Sequence, residues 1–349
     1  MTKDVKSRKG CPKMLHSVSN ANKGDLKLNQ LMEALSREHG HQTVIELMRK
    51  CCLELPSKHI MKTGMEFLYI NGFYEDLQQL IIKNQQSNDQ SNRQWAAIYQ
   101  LIIDRRTNRY SPHELLQTIN QMHTTEPELR CLIEFVKVTA FYDLNQFSKI
   151  GNFLHIQQQL MDAIEDRLLV SYFNIRLYHI MLTYYLIRNE VIMARKYAYR
   201  VLNQTDNIRT KASIHIKLGL SYTFDTYEQG IYHFREALKI AEENNFYNVS
   251  YVIQHHNIPF LSAHFNKTEN IFTDDKSEQA HLEIAKGNNQ TAIEILNELP
   301  MDSPFQLYYM GKAKQDKDIL LESYNFFIQK RSDYFFSRLP LRVLQEWSQ

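Results

Sequence analysis

The residues best equipped for chemistry are the fourteen histidines and four cysteines, and their spacing argues against a metal centre. A protein zinc site needs ligands that converge, as in His-Glu-x-x-His on one helix face or in paired Cys-x-x-Cys. The sequence contains neither. The close histidine pairs are His39/His41 and His255/His256. Positions one or two apart on a helix point to different faces, so these read as surface or loop side chains and no metal ligand is assigned. Cys11, Cys51, Cys52 and Cys131 are too few and too scattered for a secreted disulfide framework and read as reduced and mostly buried. Gly-x-Gly-x-x-Gly, a Gly-Lys-Ser/Thr phosphate loop and a Gly-x-Ser-x-Gly elbow are all missing, which removes the usual footholds for nucleotide and acyl chemistry. The expectation is a protein that works by binding, without a cofactor, and is not an enzyme.

The elements that would position a binding site are helices. With 43% apolar and 23% charged residues the chain can bury a sizeable core. Ten glycines and eight prolines in 349 residues leave few positions for the tight turns that a β-rich or doubly wound protein needs. From Asp25 onward apolar residues recur at helical spacing, as in Leu28, Leu31, Met32, Leu35 and in Val44, Ile45, Leu47, Met48, Cys51, Cys52. The polar run Asn84 to Asn92 and the segment Asn266 to Ser277 read as the longest loops. No stretch is apolar enough to cross a membrane, and Met1 to Lys9 lacks the apolar centre of a signal peptide, so a cytoplasmic protein with no membrane partner is expected. Residues 1–24 hold Lys3, Lys6, Arg8, Lys9, Lys13 and Lys23 against Asp4, in a chain whose net charge is only +2. Any contact with nucleic acid is expected to be confined to this basic arm.

Internal repetition sharpens the fold. Between Arg209 and Ala241, Leu218-Gly219 and Tyr222 fall on a first helix and Gly230, Phe234 and Ala237 on a second. Small residues let two antiparallel helices approach, and the aromatic fills the gap to the next pair, which is the tetratricopeptide pattern. Ala194/Ala198, Ala292/Leu296 and Ser323/Phe327, with Tyr309 and Gly311 on a first helix, repeat those landmarks near the expected period. The twenty tyrosines and eighteen phenylalanines then read as packing between repeats rather than as a stacking platform for bases. The predicted fold is all-α: a tetratricopeptide-like right-handed helical solenoid over 25–349, preceded by a short, incomplete helix-turn-helix-like segment in 1–24.

Longer strings carry a resemblance. Leu307-Tyr308-Tyr309-Met310-Gly311-Lys312, Ser323 to Phe327 and Ser332 to Leu341, with Glu278-Gln279-Ala280-His281, Thr205 to Arg209, Leu218-Gly219 and Glu46 to Leu55, resemble the arbitrium receptors, AimR, of temperate phages of bacilli, over roughly residues 10 to 345. Members of that family are tetratricopeptide-like solenoids that dimerise, bind DNA through an N-terminal helix-turn-helix and are switched by a short secreted peptide between lytic and lysogenic programmes. The resemblance therefore implies a transcriptional regulator of the lysis-lysogeny decision that takes up a peptide of about six residues, forms a homodimer and engages promoter DNA. The rival reading is a peptide- or protein-binding scaffold without DNA-binding activity of its own.

The family's peptide commonly ends in Arg-Gly-Ala, which calls for a cation at its carboxylate and anions at its arginine. Arg209, Glu278 and Asp333 fall where such charged pocket residues occur, and Thr183, Leu220, Thr223 and Phe335 complete the implied peptide-binding set. Thr183, Ile187 and Leu220 stand where better-known members carry peptide-clasping asparagines. Thr183 alone of the three keeps a hydrogen-bonding side chain, so a more apolar peptide is expected. Lys6, Arg8, Lys9 and Lys13 are the implied DNA contacts, gripping phosphates with little sequence discrimination. Gly10 to Asn20 resembles the last helix of the family's DNA-binding unit. Only nine residues precede it, so a vestigial unit or an internal translation start is expected. The sequence stops at Trp347-Ser348-Gln349, short of the family's leucine-rich dimerisation tail.

Overall fold

The computed structural model describes residues 26–55 and 57–347. Lys6, Arg8, Lys9 and Lys13, with the 1–24 segment to which they belong, lie outside the described residues. Every regular element among the described residues is helical. In chain order these are α1 (Leu28–Glu38), α2 (His41–Glu54), α3 (Lys58–Asn71), α4 (Tyr74–Gln85), α5 (Gln90–Arg106), α6 (Pro112–Asn120), α7 (Pro127–Asp143), α8 (Ile150–Asp162), α9 (Arg167–Ile187), α10 (Val191–Gln204), α11 (Ile208–Ser221), α12 (Tyr227–Glu243), α13 (Tyr247–Val252), α14 (Ile258–His264), α15 (Lys276–Ala285), α16 (Asn289–Asn297), α17 (Pro304–Lys314), α18 (Lys317–Asn325) and α19 (Arg338–Glu346). The described residues divide into two compact units: unit 1 holds those up to 140 with 153–176, and unit 2 holds 141–152 with 177–347.

Unit 1 is built on sequential helix pairs whose ends the sequence marks clearly. Ser111 accepts from the Glu114 N–H while Glu114 reaches back to the Ser111 N–H, and Pro112 opens α6 with its fixed φ. Gly72 ends α3 at φ 82°, the left-handed cap that favours glycine. The segment Asn84 to Asn92 departs from the loop expected there: α4 runs to Gln85 and α5 begins at Gln90. Asn84 donates to the Met61 and Leu80 carbonyls and accepts from Asn92. Both side chains are fully buried. Polar composition suggested solvent; an amide that satisfies backbone groups is equally at home inside.

Unit 2 shows the repeat packing directly. On α11, a Cβ at Gly219 would lie 2.5 Å from the Phe234 ring on α12, and on α17 one at Gly311 would lie 2.8 Å from Leu320 on α18. Those glycines permit the close approach that the pattern required. Ala194, Ala198, Phe234, Ala237, Ala292, Leu296, Tyr309, Ser323 and Phe327 are all fully buried. α13 continues through a π turn at Ile253–Asn257 into α14, and the segment before α15 is irregular as expected. Asp275 caps α15 by accepting from the Glu278 N–H.

Cys52 and Cys131 are free and buried, and burial pushes both thiols well up, Cys131 to about 12. Cys51 is disulfide-bonded, which corrects the reduced reading for that residue: spacing along the sequence does not show which thiols meet in space. No helix among the described residues is long and apolar enough to cross a membrane.

Candidate functional site

The residues singled out in the sequence, other than those of the N-terminal arm, all fall in unit 2. Three segments bring most of them together: the end of α9, the end of α11 and the turn that follows α18. The last residue of α9, Ile187, has a carbonyl with no partner inside its own helix. The Tyr334 and Phe335 N–H groups both donate to it, at 2.8 and 3.0 Å. Asp333 shapes that turn by accepting from the Phe336 N–H at 3.0 Å, and Arg338 donates to Asn189 at 2.9 Å just beyond. The Phe335 ring, 1% exposed, meets the Phe224 ring edge-on at 5.1 Å. Phe224 in turn lies under the guanidinium groups of Arg338 and Arg342, at 4.2 and 4.6 Å.

Thr183, one turn before Ile187, is buried. It accepts from Lys217 Nζ at 2.5 Å and donates to the His179 carbonyl at 3.2 Å. Thr223 is completely buried and spends its hydroxyl on the Leu220 carbonyl at 2.7 Å. Leu220 packs against the cluster of Ile231, Phe234, Ala237, Ile253 and Leu261. Thr183, Asp333 and Phe335 thus belong to segments joined at the Ile187 carbonyl, and Lys217 and Phe224 tie the end of α11, with Leu220 and Thr223, to them.

Arg209 and Glu278 sit elsewhere. Arg209 is exposed in the first turn of α11, its guanidinium 3.7 Å above the Phe246 ring. Leu220 lies roughly 16 Å further along the helix at about 1.5 Å per residue. Glu278 is on the far side of an aromatic layer that runs from Phe335 through Phe336 and Phe260 to His281. There Tyr309 donates to Glu278 Oε1 at 3.0 Å. Oε2 lies 3.5 Å from His281 Nδ1 and makes no hydrogen bond among the described residues, nor does either ring nitrogen of His281.

Electrostatics follow from this burial. Glu278 is pushed up to about 8 by burial, against the Tyr309 hydrogen bond and with help from Asp275. His281 is held well below 6.5 by burial, then by Lys312 and His264. Both are uncharged near neutrality. Burial raises Asp333 to about 6, opposed by the Phe336 N–H and by Arg331.

These shifts set a pH profile for folding. Glu278 holds, when folded, a proton that the unfolded chain loses near 4.5. Its contribution is complete below that pH and is lost as pH rises through 8. Asp333 acts in the same sense between 3.8 and 6. His264 and His233, both lowered to about 4 by burial first, act oppositely: their contribution is present above 6.5 and is lost as pH falls through 4. Between roughly pH 7.5 and 8.5 the two histidines are close to neutral in both states while Glu278 is titrating, so its own share should lower stability by at most about 1.4 kcal/mol per pH unit over that span. Urea unfolding at the two pH values should show a flatter limb in Glu278→Gln than in the parent chain. Equal slopes would refute the assignment.

The sequence reading missed Lys217, Arg338, Arg342 and Phe224. Lys217 stands one turn before Leu220 on α11, and that spacing was the available signal.

The family described as AimR transcriptional regulator-like matches residues 44–346. The AimR transcriptional regulator of Bacillus phage SPbeta is 24% identical over 314 residues, covering 86% of this chain and 80% of its own length. A solved structure of phAimR with ligand superposes with a TM-score of 0.72 at 20% identity, covering 94% of this chain and 100% of that one. A selenomethionine form of phAimR gives 0.67 at 20% identity, covering 97% and 90%. The all-helical, solenoid-like fold is therefore shared with those structures.

Proposed function

The chain belongs to the AimR family of transcriptional regulators, and from that membership we propose that it is an arbitrium-type receptor: it takes up a short phage-encoded peptide and regulates the lysis-lysogeny decision. The family is one of regulators, not a class of enzymes. The observation that carries the reading is the family match over 44–346. A solved relative described with a ligand supports it, as does the corner of unit 2, where Lys217 reaches Thr183 and Phe335 packs on Phe224 beneath Arg338 and Arg342.

The peptide, of about six residues, would present a carboxylate and a cationic side chain. In this reading Arg209 meets the carboxylate, Asp333 meets the cation, Glu278 joins it by giving up its proton as the cation approaches, and Leu220 with Phe335 give the site its apolar character. Ile187 and Leu220 offer no side-chain hydrogen bond, which favours an apolar peptide body. Residues 25–349 form the peptide-binding and dimerising part, and Lys6, Arg8, Lys9 and Lys13 touch promoter DNA phosphates.

Isothermal titration with the hexapeptide encoded beside the gene tests this, together with a gel-shift assay on the intervening promoter. Saturable binding at micromolar peptide is expected. Arg209 is exposed and stacked on Phe246, so its reversal in Arg209→Glu should weaken binding about tenfold, or ~1.4 kcal/mol, rather than abolish it. Unchanged affinity in that variant would remove Arg209 from the site. No binding at millimolar peptide would sink the receptor reading itself.

A further inference from the structure

A cavity lies under the last helix of unit 2. On α19, Leu339, Arg342 and Glu346 recur at helical spacing and share a face, and that face looks across to Lys312 on α17 and to His264 at the end of α14. Between them is a cavity of about 570 Å³ whose other walls include Tyr308, Leu339 and Trp347. That volume suits a small organic molecule. Lys312 is largely buried and its ammonium is lowered by desolvation, with Glu346 acting in the other direction. Among the described residues, neither Lys312 nor Arg342 has a carboxylate within ion-pair distance. Arg342 has only the Phe224 ring beneath it on its other side. His264 is uncharged near neutrality, since burial and then these same two cations hold it at about 4. Glu346 stands on the cavity wall but, among the described residues, forms an ion pair with neither cation, so a desolvated ammonium and a guanidinium facing one cavity keep an attraction for a further anion.

We propose that this cavity binds a small organic carboxylate with an apolar body, its oxygens taken by Lys312 and Arg342 and its hydrocarbon laid against Tyr308, Leu339 and Trp347. Arg342 also borders the corner of unit 2 through Phe224, but Lys312, Tyr308, Glu346 and Trp347 stand outside the residues assigned to the peptide, and the proposal does not rest on that reading. Arg342 matches a carboxylate in two hydrogen bonds, Lys312 supplies a point charge, and the aromatic walls exclude water from both.

The probe is 3-phenylpropionate, titrated calorimetrically into the full chain, with its neutral amide and inorganic phosphate as comparison ligands. Saturable binding of the carboxylate is expected at millimolar concentration or below, at least tenfold tighter than either comparison ligand. Lys312→Met should weaken it at least tenfold while helicity is unchanged. Glu346→Gln removes the acid at the cavity and should strengthen binding severalfold, a gain that loss of folding cannot imitate. Binding of the amide as tight as that of the acid would overturn the proposal, as would phosphate binding more tightly than the carboxylate. So would carboxylate affinity that is indifferent to both substitutions.

Discussion

Arg176→Met should destabilise unit 1 by about 3–5 kcal/mol, because it strands a buried carboxylate. Glu66 is 0% exposed. Arg176 meets it with two parallel bonds, Nε to Oε1 and Nη2 to Oε2, each 2.7 Å. The Tyr99 hydroxyl donates to the same carboxylate, and the guanidinium also lies 3.9 Å over the Tyr69 ring. Removing the cation leaves the Tyr99 hydroxyl as the remaining donor among the described residues to a desolvated charge. The distinguishing control is the double variant Glu66→Leu/Arg176→Leu, which removes both charges. A buried pair gains little over apolar residues of similar volume, yet costs much when half of it is left behind. The double variant should therefore lie closer to the parent than Arg176→Met does. Urea unfolding can be followed through Trp95, which stacks on Tyr99 at 6.1 Å, in a Trp347→Phe background. A single variant within 1 kcal/mol of the parent, or a double variant worse than the single, would refute this account.

That cluster also shows where reading the sequence stops. Glu66 lies among the apolar residues Met65, Phe67 and Leu68 of α3, but nothing in that composition says that its acid is buried. The partner stands 110 positions away. The repeat core was legible, because Gly219, Phe234 and Ala237 carry their packing in their size, and size is visible without coordinates. Charge is different. Arg209, Glu278 and Asp333 look alike as ionic residues in the sequence, yet one is exposed, one is neutral beside His281 and one shapes a turn. Their environments are set by tertiary contacts, through burial and through whichever dipoles face them. Asn84 and Asn92 fail in the opposite direction: their polarity argued for solvent, and their hydrogen bonds placed them inside. Lys217 lies one turn before Leu220 on α11 and reaches Thr183 on α9, although the resemblance names neither its position nor that contact.

Phe335→Ala tests the corner of unit 2 as a built object. The ring is 1% exposed and packed against Phe224 and Phe336 at 5.1 and 5.0 Å. Truncating a buried phenyl should cost about 3–5 kcal/mol, from lost burial and from the cavity left behind. The backbone bonds from Tyr334 and Phe335 to the Ile187 carbonyl survive the substitution on paper, but each is worth only about 1 kcal/mol net. They should not hold the turn against α9 once the ring is gone. Peptide affinity should fall with stability in Phe335→Ala. Phe335→Leu keeps most of the volume and should cost under about 1.5 kcal/mol. The leucine variant is therefore the informative one for function: a folded chain with weakened peptide binding would place the phenyl ring itself against the ligand, whereas full binding would assign Phe335 to holding the turn. Phe335→Ala unfolding within about 1 kcal/mol of the parent would mean that the turn is held by its backbone alone, and the aromatic contact would lose its role as the keystone of the site.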